Sequence, residues 1–120
     1  DGIMVLGVPA TYWNEINDYG RRSLDMAKGL KCRMFIAGGG RDYQVTKRDY
    51  DLYQKALKGR KGVTFHWYKR LNHLFAPGKE KATPQEYMKA NHVDGKVIRD
   101  LAEWIKGAEE KDGKPKRSNE

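Results

Sequence analysis

Two residues that can exchange protons each follow a short β-type run in this sequence. Asp42 comes after the apolar run at 34–37 and three glycines, and His73 comes soon after the run at 63–68. In doubly wound α/β proteins, functional side chains lie on loops at the carboxyl ends of the strands. An aspartate that orients a histidine is the acid–base half of a catalytic triad. The spacing allows such a pair but does not by itself decide for it, because aspartate is also common in turns and a loop histidine is commonly solvated.

The sequence offers no candidate for the third member of a triad, a nucleophilic serine. No serine lies between Leu24 and Arg117, and neither Ser23 nor Ser118 stands in a Gly-x-Ser-x-Gly elbow. We therefore expect the nucleophile to lie outside these 120 residues.

Two predicted parallel strands position the pair. The run at 34–37 is apolar without alternation, which is typical of an interior strand covered on both faces. The run at 63–68 alternates apolar and polar residues, which predicts a strand near the sheet edge. A crossover between parallel strands brings both following loops to one edge. Because neighbouring strands lie about 4.8 Å apart, Asp42 and His73 are expected within hydrogen-bond reach.

Helices are predicted before, between and after the strands, over 8–18, 21–28, 46–59, 83–90 and 92–106. Pro9 suits a first helical position, and Asp18-Tyr19-Gly20 predicts a break between the first two helices. Thr46 and Asp49 stand in capping-box positions at the start of the crossover helix. The last helix carries an apolar stripe formed by Val93, Val97, Ile98, Leu101, Trp104 and Ile105.

The chain is long enough for one small domain. Of its 120 residues 38% are hydrophobic, and it has no run of about 18 apolar residues that could span a bilayer. We therefore predict one domain over 1–107 and no membrane partner. Residues 108–120 are polar and are predicted to form a disordered tail.

The formal net charge of +8 raises nucleic acid or another anionic surface as a partner. The basic residues of the body are scattered singly, however, and are not interleaved with aromatic stacking positions. This pattern is typical of a solvated basic surface, so a nucleic-acid interface is not favoured.

The sequence predicts neither a cofactor nor a metal. The glycines at 38–40 suit a tight exit with positive φ and leave room beside the strand end. They lack the third glycine of a dinucleotide motif, because Tyr43 stands at its position, and the Lys-Ser/Thr of a P-loop is missing too. Metal-binding spacing is not present among His66, His73, His92 and Cys32.

Four segments carry a resemblance to known proteins, at 37–45, 63–68, 71–75 and 97–105. They include Gly-Gly-Arg-Asp-Tyr-Gln-Val at 39–45 and Asn-His-Leu-Phe at 72–75, each after its predicted strand. Together they resemble the C-terminal part of α/β-hydrolases, and in particular bacterial serine hydrolases related to acylaminoacyl-peptidase and dipeptidyl-peptidase, a prolyl oligopeptidase-like group. The resemblance covers roughly residues 3–106.

The resemblance implies an α/β fold of parallel strands with crossover helices, in which the two predicted strands are the last two of an eight-stranded sheet. It also implies that Asp42 is the triad acid and His73 the general base. The sequence departs from the family because the preceding strands, the serine elbow and the oxyanion-hole loop are absent.

The resulting hypothesis is a C-terminal fragment of a serine hydrolase that acts on peptide or ester substrates. Such a fragment is expected to be inactive alone and to need the missing N-terminal part of the domain, or association with another copy. The alternative is a non-catalytic binding module that keeps this half of the fold and uses its basic surface.

Overall fold

The computed structural model describes residues 2–111 and has an α/β architecture with two small sheets. Its elements in chain order are β1 (Met4–Val5), β2 (Val8–Pro9), α1 (Ala10–Gly29), β3 (Met34–Gly39), α2 (Lys47–Ala56), β4 (Val63–Tyr68), a short 3-10 helix (Pro84–Met88) and α3 (Gly95–Lys111). Within the described residues, no helix is both long and apolar enough to cross a membrane.

β3 and β4 form a two-stranded parallel sheet, which confirms the predicted pairing. The register joins Met34 to Val63 and Gly39 to Tyr68. β3 is two residues longer than the predicted run, because pairing with β4 continues through the glycines. Among residues 2–111, β4 is the only strand beside β3. The predicted interior position is therefore not reached within the described chain, and the β3 side chains remain half-buried.

The first helical region is one continuous helix, so the predicted break at Asp18-Tyr19-Gly20 is wrong. A single glycine lowers helix stability by only about 1 kcal/mol relative to alanine, which the flanking turns offset. Pro9 lies just before the helix, as the last residue of β2, with extended ψ of 138°. The small β1–β2 hairpin is held against α1 by the Trp13 indole, which donates a hydrogen bond to the Val5 carbonyl at 3.0 Å.

The crossover helix α2 begins with the predicted capping box. The Asp49 carboxylate accepts hydrogen bonds from the Thr46 N–H at 2.7 Å and from the Thr46 hydroxyl at 3.0 Å, and these bonds lower the pKa of Asp49. Tyr50, on the next turn, is buried against Trp67, with ring centroids 5.0 Å apart. The helix thereby packs on the β3–β4 sheet at the end where both strands terminate.

The last helix starts later and ends later than predicted. Asp94 determines its start, because its side chain accepts a hydrogen bond from the Lys96 N–H at 2.8 Å, as an N-cap residue does. The helix continues to Lys111, so the first four residues of the predicted disordered tail are helical. The remainder of that tail, 112–120, lies outside the described residues.

The hydrophobic core is small and leaves apolar faces uncovered. Tyr68, Leu71 and Val97 form its centre, with Ala37 and Phe75 packed against them. No large side chain in the described part of the chain is fully buried. Most of the predicted stripe is exposed, namely Val93 at 43% just before α3, and Ile98 at 57%, Leu101 at 39% and Ile105 at 50% on α3.

Candidate active site

Three glycines bring the loop after β3 against the loop after β4. A Cβ atom at Gly39 would lie 2.6 Å from the Leu71 carbonyl oxygen and 2.7 Å from that of Asn72. A Cβ at Gly40 would collide with the Lys69 backbone, and one at Gly38 would lie 2.6 Å from the Trp67 ring. None of the three has positive φ, so that prediction is wrong. Gly39 and Gly40 are required because the two backbones approach too closely there for any side chain, whereas Gly38 leaves room for the Trp67 ring.

The close approach places Asp42 beside His73. The Asp42 Oδ2 lies 2.8 Å from His73 Nδ1, which confirms the predicted hydrogen-bond distance. The Asp42 side chain is only 6% exposed, whereas that of His73 is 37% exposed. An ionised carboxylate can only accept, so Nδ1–H is the donor and the neutral ring keeps its lone pair on Nε2.

Asp42 is fixed in place by its own loop. Its second oxygen, Oδ1, accepts hydrogen bonds from the N–H groups of Gln44 at 2.8 Å and Val45 at 3.0 Å. One oxygen therefore stabilises the turn into α2 while the other contacts the imidazole. Because both oxygens have defined donors, the carboxylate cannot rotate away from His73 without losing hydrogen bonds.

Asn72 shapes the loop that carries His73. Its Oδ1 accepts hydrogen bonds from the Leu74 and Ala76 N–H groups, both at 3.0 Å. Its own N–H donates to the Ala76 carbonyl, also at 3.0 Å. Phe75 has a φ of 56°, a left-handed conformation that is unfavourable for a non-glycine residue. The turn thus stores local strain next to the histidine, as functional loops commonly do.

A partly buried ion pair that the sequence analysis did not find lies behind the two loops. Arg41 is 5% exposed, and its guanidinium contacts the Glu86 carboxylate. Asn72 Nδ2 donates to the other Glu86 oxygen at 2.9 Å. The Asn72 hydrogen bond lowers the pKa of Glu86 most, burial opposes this effect, and Arg41 adds to it. In the sequence, Glu86 lies inside the helix predicted over 83–90, which is instead the short 3-10 helix, and nothing there marks it as a partner of Arg41.

Over 101 residues the chain is 44% identical to Esterase EstD of Thermotoga maritima. The matched part is 84% of this chain and 24% of that esterase, so the chain spans about a quarter of the length of its relative. The chain is related to an esterase. This identity supports a hydrolase relationship in general, whereas the resemblance to the peptidase group stays a prediction. No protein-family model matches the chain, and no solved structure matches it.

The esterase-related chain has two further histidines, and neither joins the pair. His66 is half-buried on β4, where it stacks on Phe35 with ring centroids 4.8 Å apart. His92 is exposed before α3. Within residues 2–111 no group of three or more histidine, cysteine or carboxylate side chains could hold a metal ion.

Proposed function

We propose that this chain is the C-terminal part of an α/β-hydrolase domain of the serine esterase type. Asp42 is the triad acid, His73 is the general base, and residues outside the chain supply the nucleophilic serine. The observation that carries the proposal is the 2.8 Å contact between Asp42 Oδ2 and His73 Nδ1 at the carboxyl ends of two parallel strands. The identity to an esterase supports the esterase type.

In the proposed reaction, His73 Nε2 removes the proton from the serine hydroxyl as the oxygen attacks the ester carbonyl. The resulting imidazolium gives this proton to the leaving alcohol, which leaves an acyl-serine. A water molecule then transfers a proton to Nε2 and attacks the acyl group, and His73 returns the proton to the serine. Asp42 stays ionised throughout, holds Nδ1–H and stabilises the imidazolium.

Esters are the proposed substrates because the relative is named an esterase. Peptides were predicted alongside them and have no support beyond the resemblance. An open cleft of about 340 Å³ runs along the His73 loop and includes Leu74, Tyr87 and Val93 in its lining. Its apolar side chains suit part of an ester substrate, since binding sites are mostly apolar with a few polar groups.

The rest of the domain is proposed to cover the open surfaces of the 1–107 part. One edge of β3 has no strand beside it in the described chain, and Ile98, Leu101 and Ile105 expose an apolar face on α3. Additional strands of a larger sheet and the elements packed on it would bury both. Their source is the remaining part of the hydrolase domain or a second copy of this chain.

The test uses the product of the complete reading frame that contains this sequence, with a p-nitrophenyl ester as substrate. We expect saturable hydrolysis and a loss of about 10⁶-fold in kcat for His73→Ala, since such a loss is typical when a triad histidine is removed. Glu15→Ala is the control, because Glu15 is exposed on α1 and lies outside both the pair and the cleft, and it should retain wild-type activity. Turnover that survives His73→Ala would contradict the proposal. It would place the catalytic base outside this chain and favour the alternative that the chain is a non-catalytic binding module.

A further inference from the structure

Arg41 is a charged residue whose side chain is almost inaccessible to solvent. A guanidinium at 5% exposure is costly unless it is paired and its N–H groups are hydrogen-bonded. Three different points of the chain meet this need. Arg41 Nε donates to the Glu80 carbonyl, Nη1 to the Ala76 carbonyl at 3.4 Å, and Nη2 to the Glu86 carboxylate. The planar fork therefore ties the loop after β3 to the segment 76–86.

The same ion pair also reaches the histidine loop. Glu86 uses one carboxylate oxygen for Arg41 and the other for Asn72 Nδ2, at 2.9 Å. The backbone adds a direct link, because the Arg41 N–H donates to the Leu71 carbonyl at 2.9 Å. Glu86 thus bridges the residue that precedes the acid and the residue that precedes the base.

The surrounding backbone is built around the guanidinium. A Cβ atom at Gly78 would collide with the Arg41 guanidinium, so the side chain lies flat against a glycine backbone. The Ala82 N–H donates to the Arg41 carbonyl at 3.0 Å, which attaches the segment before the 3-10 helix. Arg41 therefore contacts main chain on several sides, and its position cannot shift without moving both loops.

We infer that Arg41, Glu86 and Asn72 form a loop clamp around the buried Arg41 guanidinium, and that this clamp positions Asp42 against His73. They are positioning residues, since none of them contacts the reacting atoms in the proposed mechanism. The inference rests on the proposed function for its catalytic consequence, and on the hydrogen-bond geometry for its structural part. Misplacing a catalytic group by about 1 Å costs on the order of 10²-fold in rate, so a loosened clamp should be visible in kcat.

The test compares Arg41→Lys with the wild type in the product of the complete reading frame. Lysine keeps the charge but loses the planar fork that serves Glu80, Ala76 and Glu86. We expect kcat per active site, counted by burst titration, to fall about 10²-fold while KM changes little. Arg22→Lys is the matched control, since Arg22 forms an exposed ion pair with Asp18 on α1, and it should leave kcat unchanged.

A second measurement separates positioning from a loss of folded protein. With ¹⁵N-labelled histidine, the His73 Nδ1–H signal reports the bond to Asp42 directly. In folded Arg41→Lys this signal should broaden or vanish through exchange with water, while the amide signals of a uniformly ¹⁵N-labelled sample stay dispersed. If Arg41→Lys does not fold, Glu86→Gln provides the same comparison with a smaller expected loss, because the amide still hydrogen-bonds to Asn72.

The outcomes distinguish the clamp from the function. An unchanged Nδ1–H signal together with wild-type kcat in folded Arg41→Lys overturns the clamp and leaves the proposed function standing. Wild-type kcat in Asp42→Asn overturns the proposed function, and the Nδ1–H signal in Arg41→Lys then still decides whether the clamp holds the pair.

Discussion

At the scale of single residues, the candidate site depends on carboxylates whose two oxygens have separate tasks. Asp42 uses Oδ1 for its own turn and Oδ2 for His73. Glu86 divides its oxygens between Arg41 and Asn72 in the same way. Each carboxylate joins two parts of the chain, so removal of its charge should weaken the arrangement more than loss of a surface charge would.

This dependence leads to a prediction about pH. The pKa of Glu86 is lower in the folded chain than its ordinary value of 4.5, mainly because of the Asn72 hydrogen bond. The unfolded chain therefore binds a proton at a higher pH than the folded chain does. The stabilisation is complete above the unfolded pKa and is lost as the pH falls through the folded pKa.

We expect the difference in unfolding free energy between wild type and Glu86→Gln to shrink when the pH is lowered from about 6 to about 3. Urea denaturation followed by tryptophan fluorescence measures it. Glu15→Gln is the control, because Glu15 is exposed on α1. An equal pH response in the two variants would show that the Glu86 carboxylate adds no specific stability.

At the scale of elements, α1 is long because the helix continues through a glycine without a break. Gly20 lies in the middle of a 20-residue helix, is exposed, and has nothing within 4 Å of the position that a Cβ would occupy. Alanine at this position gains helix propensity without any clash. We expect Gly20→Ala to raise the free energy of unfolding by about 1 kcal/mol.

Thermal or urea denaturation of the two chains checks this prediction. Gly39→Ala is the contrasting variant, since its Cβ would meet the Leu71 and Asn72 carbonyl oxygens within 2.7 Å, and it should be strongly destabilised. A destabilised Gly20→Ala would mean that the glycine is needed for a bend in α1 rather than merely tolerated.

At the scale of the whole molecule, exposed apolar surface predicts association. β3 offers one unpaired edge within the described residues, and α3 exposes Ile98, Leu101 and Ile105. Unpaired strand edges and contiguous apolar patches are the features through which chains pair with one another. We expect the isolated 120-residue chain to self-associate and to hydrolyse no ester above the buffer rate.

Light scattering over a concentration series measures the association. The matched variant is Ile98→Lys with Ile105→Lys, which places charges on the exposed face of α3 and should shift the equilibrium toward monomer. A wild-type chain that stays monomeric at roughly 10⁻⁴ M, with dispersed amide signals, would contradict this prediction, since exposed edges and patches of this kind favour pairing.

The sequence by itself determined the features whose causes are local. An apolar run predicted β3 and an alternating run predicted β4. The Thr46–Asp49 spacing predicted the start of α2, and the residues after each strand predicted the approach of Asp42 and His73. Strand pattern and helix capping act over a few neighbouring residues, and the direction of a crossover hardly varies. Such features are therefore readable before the chain is folded.

Only the tertiary structure decided what lies between distant residues. Arg41 meets Glu86 across 45 positions, and no periodicity or spacing marks that contact. The need for glycine at position 39 also comes from a part of the chain far away in sequence. The carbonyl oxygens that exclude a side chain at Gly39 belong to the loop after β4. The continuity of α1 through Gly20 and the exposure of most of the predicted stripe on α3 depend on the balance of all contacts. Local patterns do not contain that balance, because burial is a property of the assembled fold.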